Sequence, residues 1–490
     1  MRWKRVLIAT ALSLTLLGGS VSAAQREVSD QNASTLLEIY SRIVESHYSH
    51  PDQEAVLRGA IEGMLQVLND PFSSYLTTAE YEQLEQAIEQ EFAGLGSALQ
   101  ATKAGEIMIT EIYSGSAAEE AGLQVGDRIL AVDGKSVIGE PIDKVSAKIR
   151  GKAGTQVVLT IRRGTEASKQ VAITRKTISL PTVLSKDSGN GVGYLRILSF
   201  ASETSGEFHK AYQKIAATSP KGILLDLRGN GGGYVHSALT VADSFLAAGT
   251  MIVIHEGEQR IELQADEESF DLPLAVLVDQ HTASASEILA GALQKNGRAV
   301  LIGAQTYGKG TMQELMPMPD GGVLKLSVDK WEFSDGTTNH LVGLTPDIRL
   351  TAPEIFLNAG MQYLFPGRKQ TLTLYPSGGW GDLNGTKLLD MPTVLRVGQQ
   401  QYLPLRYVVE ALGSEVNWVQ QTSSVEFQLE QRQVRVELGS GQLFLDGKRA
   451  DLNGAVRLQG GVSYLSTAAF DLILGGGVRQ SDTAITLHVD

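Results

Sequence analysis

Cysteine is absent from all 490 residues. That excludes disulfides, thiolate metal sites and a cysteine nucleophile, and it leaves the redox compartment open. An excess of basic charge is also missing. The net charge is −13, which excludes a nucleic-acid partner, because phosphate binding needs a basic face. Near the N-terminus the longest apolar stretch is residues 6–17, too short to span a bilayer comfortably as a bare helix. It follows Arg2, Lys4 and Arg5 and precedes the small residues Val21-Ser22-Ala23-Ala24. Residues 1–24 therefore read as a secretory signal peptide or as an uncleaved anchor. Either places the remainder outside the cytoplasm, secreted or held at the outer face of the membrane. Apolar content of 42% suffices for cores without staples, and the length suggests roughly three or four domains.

The chemistry concentrates in residues 276–313. An apolar strand runs into Thr282-Ala283-Ser284-Ala285-Ser286-Glu287, followed by a helix-like segment. A second apolar strand ends in Thr306-Tyr307-Gly308-Lys309-Gly310. A serine at a strand-to-helix turn exposes its hydroxyl beside free backbone N–H groups. It is a weak nucleophile until a base takes its proton, and a lysine of depressed pKa can be that base. Ala304, Tyr307 and Met312 are candidate apolar walls for Lys309, and the segment 305–311 holds no acid.

These two motifs resemble those of the carboxy-terminal processing proteases, serine peptidases with a Ser–Lys dyad and a built-in PDZ domain. The resemblance spans about residues 37–355. It implies Ser284 as nucleophile and Lys309 as general base, with Gln313 orienting one of them. Glu287 and Thr306 match supporting positions. Thr282 and Ser286 are competing hydroxyls better suited to capping. The oxyanion of the tetrahedral intermediate needs preorganised donors. Those expected are the backbone N–H of Gly231 or Gly232, within Arg228-Gly229-Asn230-Gly231-Gly232-Gly233, and that of Ala285. Asp226 and Arg228 read as structural.

The fold class expected is multidomain α+β. Residues 29–91 form an N-terminal helical segment, to which the resemblance adds a dimerisation role. Residues 92–177 resemble a PDZ domain through Ala117-Ala118-Glu119-Glu120-Ala121-Gly122-Leu123 and Gly126-Asp127-Arg128-Ile129. Ser116 stands where a proline is usual. Its Phe92-Ala93-Gly94-Leu95-Gly96 loop matches the one that holds a peptide carboxylate, with Phe92, Gly94, Leu95 and Gly96 as candidate binding residues. Residues 178–370 alternate strands and helices, a mixed α/β protease core. Tyr375-Pro376-Ser377-Gly378-Gly379 reads as a linker. Residues 380–490 hold a repeat of constant offset: Tyr402-Leu403-Pro404-Leu405 recurs as Tyr464-Leu465-Ser466-Thr467. This tail resembles a stalk-type domain similar to the N-terminal domain of copper amine oxidases. Its lone His488 makes a copper site improbable, and it reads as a module for a cell-wall or envelope partner.

The expected activity is an exported endopeptidase acting on proteins with free apolar C-termini, through an acyl-enzyme and with no metal or nucleotide. Three rivals are on the page. His281 and His236 offer a Ser–His pair, but no Gly-x-Ser-x-Gly surrounds Ser284. Residues 303–309 imitate a phosphate-binding loop, but Gly310 stands where magnesium needs Ser or Thr. A non-catalytic PDZ scaffold is the third.

Overall fold

The structure, a computed structural model, describes residues 30–489 apart from 103, 188–190, 257–258, 267–268, 390, 453 and 482. The signal or anchor reading of residues 1–24 lies outside the described residues. Two helices, Asp30–Ser46 and Gln53–Gln66, come first, and neither buries a residue. Asp52 caps the second, its carboxylate accepting the Ala55 N–H at 2.9 Å. Their apolar stripe, including Leu36, Leu37, Met64 and Val67, stays exposed. Pro71 then breaks the helical run. At the break expected at Asp70-Pro71 the chain forms a strand, Ser74–Leu76, which pairs antiparallel with Val323–Glu332 of the core. The third helix, Thr78–Ile88, starts at a capping box between Thr77 and Glu80.

The next unit is a six-stranded sheet with two helices, Ala117–Glu120 and Ile142–Ile149. Ile107, Ile109, Ile129, Val157, Leu159 and Ile161 alternate inward to build its core. Ser116, the departure from proline, caps the shorter helix by accepting the Glu119 N–H at 3.2 Å. Strands Glu91–Gly94 and Lys176–Ser179 pair where the chain enters and leaves this unit.

The core is built on a sheet ordered Val183–Asp187, Val192–Ile197, Gly222–Asp226, Leu274–Val278, Val300–Gly303, Ile348–Arg349. The first pair is antiparallel and the others are parallel. Gly222–Asp226 and Leu274–Val278 are buried at every position because both faces are covered. Ile223, Leu225, Val276 and Val278 face the helices Thr204–Ala216, Val235–Asp243 and Ala285–Lys295. Leu224, Ala275 and Leu277 face Phe356 and Ala359 of the Phe356–Leu364 helix, in a core continuous with the C-terminal domain.

The repeat closes on itself. Tyr402 pairs with Ser466, Leu403 with Leu465, and Pro404 with Tyr464. Since 402 corresponds to 464 and 404 to 466, a pseudo-two-fold axis passes between Leu403 and Leu465. Each half continues into a five-stranded sheet. The first half builds its own from residues 417–449. The second half pairs its last strand, Ile485–Val489, with Gln370–Tyr375, so the chain arriving from the core completes it. Residues 375–379 are therefore not a linker. They form the turn of a hairpin between Gln370–Tyr375 and Trp380–Leu383, closed by Gly378 N–H donating to Tyr375 O at 3.0 Å. Strand Gln370–Tyr375, ahead of the expected boundary at 380, thus joins the sheet of the C-terminal domain.

Candidate active site

Strands Gly222–Asp226, Leu274–Val278 and Val300–Gly303 are adjacent and parallel, so the loops at their carboxyl ends converge, where open α/β sheets place their sites. The loops are 228–233, 279–284 and 304–310. They border a cleft of about 510 Å³ lined by Ser284, Lys309, Gly231, Gly232, Thr311 and Gln313.

The three hydroxyls of the middle loop separate by environment. Thr282 and Ser286 are fully buried. Thr282 Oγ1 donates to Leu227 O at 3.0 Å, and Ser286 Oγ donates to Asn230 O at 3.0 Å. Both stitch this loop to the glycine loop. Ser284 alone lines the cleft. It sits at the start of helix Ala285–Lys295 with φ +57° and ψ −120°, a region that costs a non-glycine residue about 1–3 kcal/mol.

Glu287 holds that conformation. Its carboxylate is fully buried and accepts four donors. Oε2 takes the Ser284 and Lys309 backbone N–H groups, each at 2.9 Å. Oε1 takes Thr306 Oγ1 at 2.5 Å and the Gly308 N–H at 2.9 Å. Thr306 Oγ1 in turn accepts the Leu344 N–H at 2.6 Å. One carboxylate thus joins the backbone of the serine to that of the lysine.

Lys309 is half-buried, with its Nζ 5.7 Å from the centre of the Phe72 ring. Burial, and then the charge of Lys325, pull its pKa from 10.5 down to about 8, against opposing pulls from Asp70 and Glu287. Tyr307 and Met312 border the clefts on either side of it, as expected, but Ala304 packs into the core instead. Phe72 was not foreseen. It arrives from the segment between the second and third helices, held by Asp70 Oδ1 accepting the Phe72 N–H at 3.0 Å. Helix Thr78–Ile88 also borders the cleft, through Leu84, Ala87 and Ile88.

In the glycine loop, Gly232 has φ +104°, and a Cβ there would lie 2.8 Å from both Ala283 O and Ser284 Cβ. Only glycine fits so close to the serine. Its N–H, however, donates to Asn230 Oδ1 at 2.9 Å. No acceptor for the Gly231 or Ala285 N–H is found among the described residues. Asn230, unassigned from sequence, is fully buried, and its carbonyl also takes the Ala283 N–H at 3.0 Å. Gln313 borders the cleft, but its amide nitrogen is engaged by Thr311 O and Oγ1, both at 2.9 Å, and by Ser327 Oγ at 3.1 Å. Asp226 pairs with Arg228 at 2.6 Å and accepts Tyr194 Oη at 2.8 Å, a buried group behind the loop.

Farther off, Leu95 buries its side chain in the PDZ core while its carbonyl accepts the Ala118 N–H at 2.7 Å. Gly96 has φ +77° and abuts Ser116. Phe92 and Gly94 pair through their backbones with Ile178 and Lys176. Strand Ser97–Ala101 follows, hydrogen-bonded to a neighbour on one side only among the described residues.

The phosphate-loop rival fails on topology: Lys309 leads into strand Thr311–Pro317, with no helix N-terminus to receive a phosphate. The rings of His281 and His236 meet Gln280 and Ser237, and neither hydrogen-bonds Ser284 among the described residues.

Comparison with known proteins agrees with this architecture. Residues 191–350 match the model for peptidase family S41, and residues 108–163 match a PDZ domain. Residues 16–79 match the activating protease CtpB N-terminal domain, and residues 382–489 the copper amine oxidase N-terminal domain. The carboxy-terminal processing protease CtpA of Bacillus subtilis is 36% identical over 353 residues, 71% of this chain and 76% of that one. A probable CtpA-like serine protease of Staphylococcus epidermidis is 34% identical over 352 residues, 71% of each chain. Among solved structures, a photosystem II D1 C-terminal processing protease is 28% identical, covering 66% of this chain and 89% of its own, at a TM-score of 0.41. The chain therefore belongs to peptidase family S41, as a C-terminal processing serine protease carrying a PDZ domain.

Proposed function

We propose that this protein is an exported serine endopeptidase that cleaves protein substrates at or near their C-terminal ends with a Ser284–Lys309 dyad. The observation that carries the reading is the shared cleft, in which a strained serine and a half-buried lysine of pKa about 8 are tied by the Glu287 carboxylate. Neutral Lys309 takes the Ser284 proton as Oγ attacks the scissile carbonyl. The N–H groups of Gly231 and Ala285 stabilise the oxyanion, while Gly232 stays with Asn230 and shapes the loop. The lysine then returns the proton to the leaving amine, and the acyl-enzyme forms. Water, deprotonated by the same amine, releases the acid. Gln313 acts through Thr311 and Ser327 to fix the strand beside the lysine.

The PDZ domain would receive the substrate end along the open edge of strand Ser97–Ala101, opposite helix Ile142–Ile149, by strand addition and backbone capture of the carboxylate near Gly94 and Gly96. That would deliver the chain and gate cleavage. The exposed apolar stripes of the first two helices would pair with a second copy, and the C-terminal domain would serve an envelope partner outside the cytoplasm. Labelling with a fluorophosphonate tests the centre of this reading. Wild type should be modified at Ser284, and Ser284→Ala and Lys309→Ala should neither label nor cleave while keeping the wild-type circular dichroism. Full proteolysis by Lys309→Ala would refute the dyad.

A further inference from the structure

The cleft contains a second lysine that the mechanism does not use. Lys325 lies on strand Val323–Glu332, directly opposite Leu315 of the strand that follows Lys309. It is half-buried and borders the same cleft as Ser284 and Lys309. These two lysines are the only charged side chains among the residues lining that cleft. No carboxylate forms an ion pair with Lys325 among the described residues. Asp70 acts on it through space, while its own oxygens accept Ser73 Oγ at 2.5 Å and the Phe72 N–H at 3.0 Å. Leu84, Met312 and Leu315 supply the apolar part of that lining, beside the uncharged polar groups of Ser284, Thr311 and Gln313.

A half-buried cation without a paired counter-ion is poorly compensated, and an incoming anion restores the balance. Lys309 must be neutral to act, which leaves Lys325 as the cleft's other cationic group; burial lowers its pKa and Asp70 opposes that. We propose that Lys325 is a substrate-binding residue that reads a carboxylate on the bound chain, two or three residues from the scissile bond. Both side chains border one cleft and an extended residue advances about 3.3 Å, so the carboxylate falls among the few residues nearest that bond. A carboxylate so placed is supplied by an acidic side chain, or by the chain's own C-terminus once the PDZ domain has handed it on. The proposal rests on the reading of Ser284 and Lys309 as the dyad.

The test uses three fluorogenic peptides of one sequence, ending two or three residues beyond the cleaved bond. One ends as a free acid, one as an amide, and one as an amide with aspartate in the last position. The readout is the ratio of kcat/KM for each carboxylate peptide to that for the plain amide. Lys325 also influences the Lys309 proton, but that effect is common to all three peptides and cancels in the ratio. Wild type should favour at least one carboxylate peptide by about tenfold, the scale of one charge-assisted hydrogen bond. Preference for the free acid alone identifies the α-carboxylate, and preference for the aspartate peptide alone identifies the side chain. Lys325→Met should bring the ratio to about one, and Lys325→Arg should keep most of it. A wild-type ratio of one, or an undiminished ratio in Lys325→Met, overturns the proposal, and the first of these needs no variant to fold. Cleavage by Ser284→Ala would instead overturn the dyad, whatever the ratio.

Discussion

The ring of Phe72 is part of the cover that buries Lys309, and its removal should test the catalytic reading most directly. At pH 7 an amine of pKa about 8 is neutral in about one molecule in eleven, and at 10.5 in about one in three thousand. The net shift, burial foremost, therefore provides about a 300-fold gain in the neutral form. Phe72 is 8% exposed and covers Nζ at 5.7 Å, so Phe72→Ala should admit water and raise the Lys309 pKa. The ring also attracts the ammonium form, by about 0.5–1 kcal/mol, and its loss works the other way. Desolvation is the largest of the influences on Lys309, so the net shift should be upward, by about one unit or 1.4 kcal/mol. The assay is the pH dependence of Ser284 phosphonylation, which reads activation of the hydroxyl without peptide binding. The inflection should move from about 8 toward 9, lowering labelling about tenfold at pH 6–7 and leaving the plateau above pH 10 unchanged. The neighbouring charges (Lys325, Asp70, Glu287) stay in place in this variant, so the shift reports the ring alone. Phe72→Leu keeps apolar cover and should shift less. An inflection that stays put or moves to lower pH would refute the claim that the ring desolvates the base.

Three further outcomes follow from the same geometry. Glu287→Gln should lower activity at least a hundredfold and destabilise the core by about 3 kcal/mol or more, because all four of its partners are donors and an amide NH2 cannot satisfy them; Tm and labelling rate together check this. Lys309→Met should be inactive yet more stable than wild type at pH 7, by about 2 kcal/mol. The unfolded lysine binds a proton that the folded one has largely lost between about 8 and 10.5, so wild-type stability rises across that window and the difference should vanish above it in denaturant titrations. A chain ending at residue 379 should be less soluble and less stable than one ending at 368, since it keeps Leu372 and Leu374 but removes the strand that pairs with them.

What the sequence revealed and what it hid divide along the range of the interactions. Ser284, Lys309 and the glycine loop were legible because each is carried by a local pattern, an apolar strand ending in small or glycine-flanked residues. Glu287 could be placed near the site, but its four-donor geometry could not, because it depends on two loops folding onto one carboxylate. Phe72 and Lys325 were invisible as site residues for the same reason. Phe72 reaches the lysine because Ser74–Leu76 adds to strand Val323–Glu332, where Ser74 lies opposite Lys325. A three-residue strand after an Asp-Pro break leaves no periodicity to read. The hairpin at 375–379 was misread for a complementary reason. Its Pro-Ser-Gly-Gly composition is that of a turn or of a linker alike, and only the pairing of Gln370–Tyr375 with the distant Ile485–Val489 decides between them. The consequence reaches the mechanism. The segment carrying Asp70 and Phe72 joins the exposed N-terminal helices to the sheet beside the base, so whatever covers those helices acts on a strand two residues from the ring that dries Lys309.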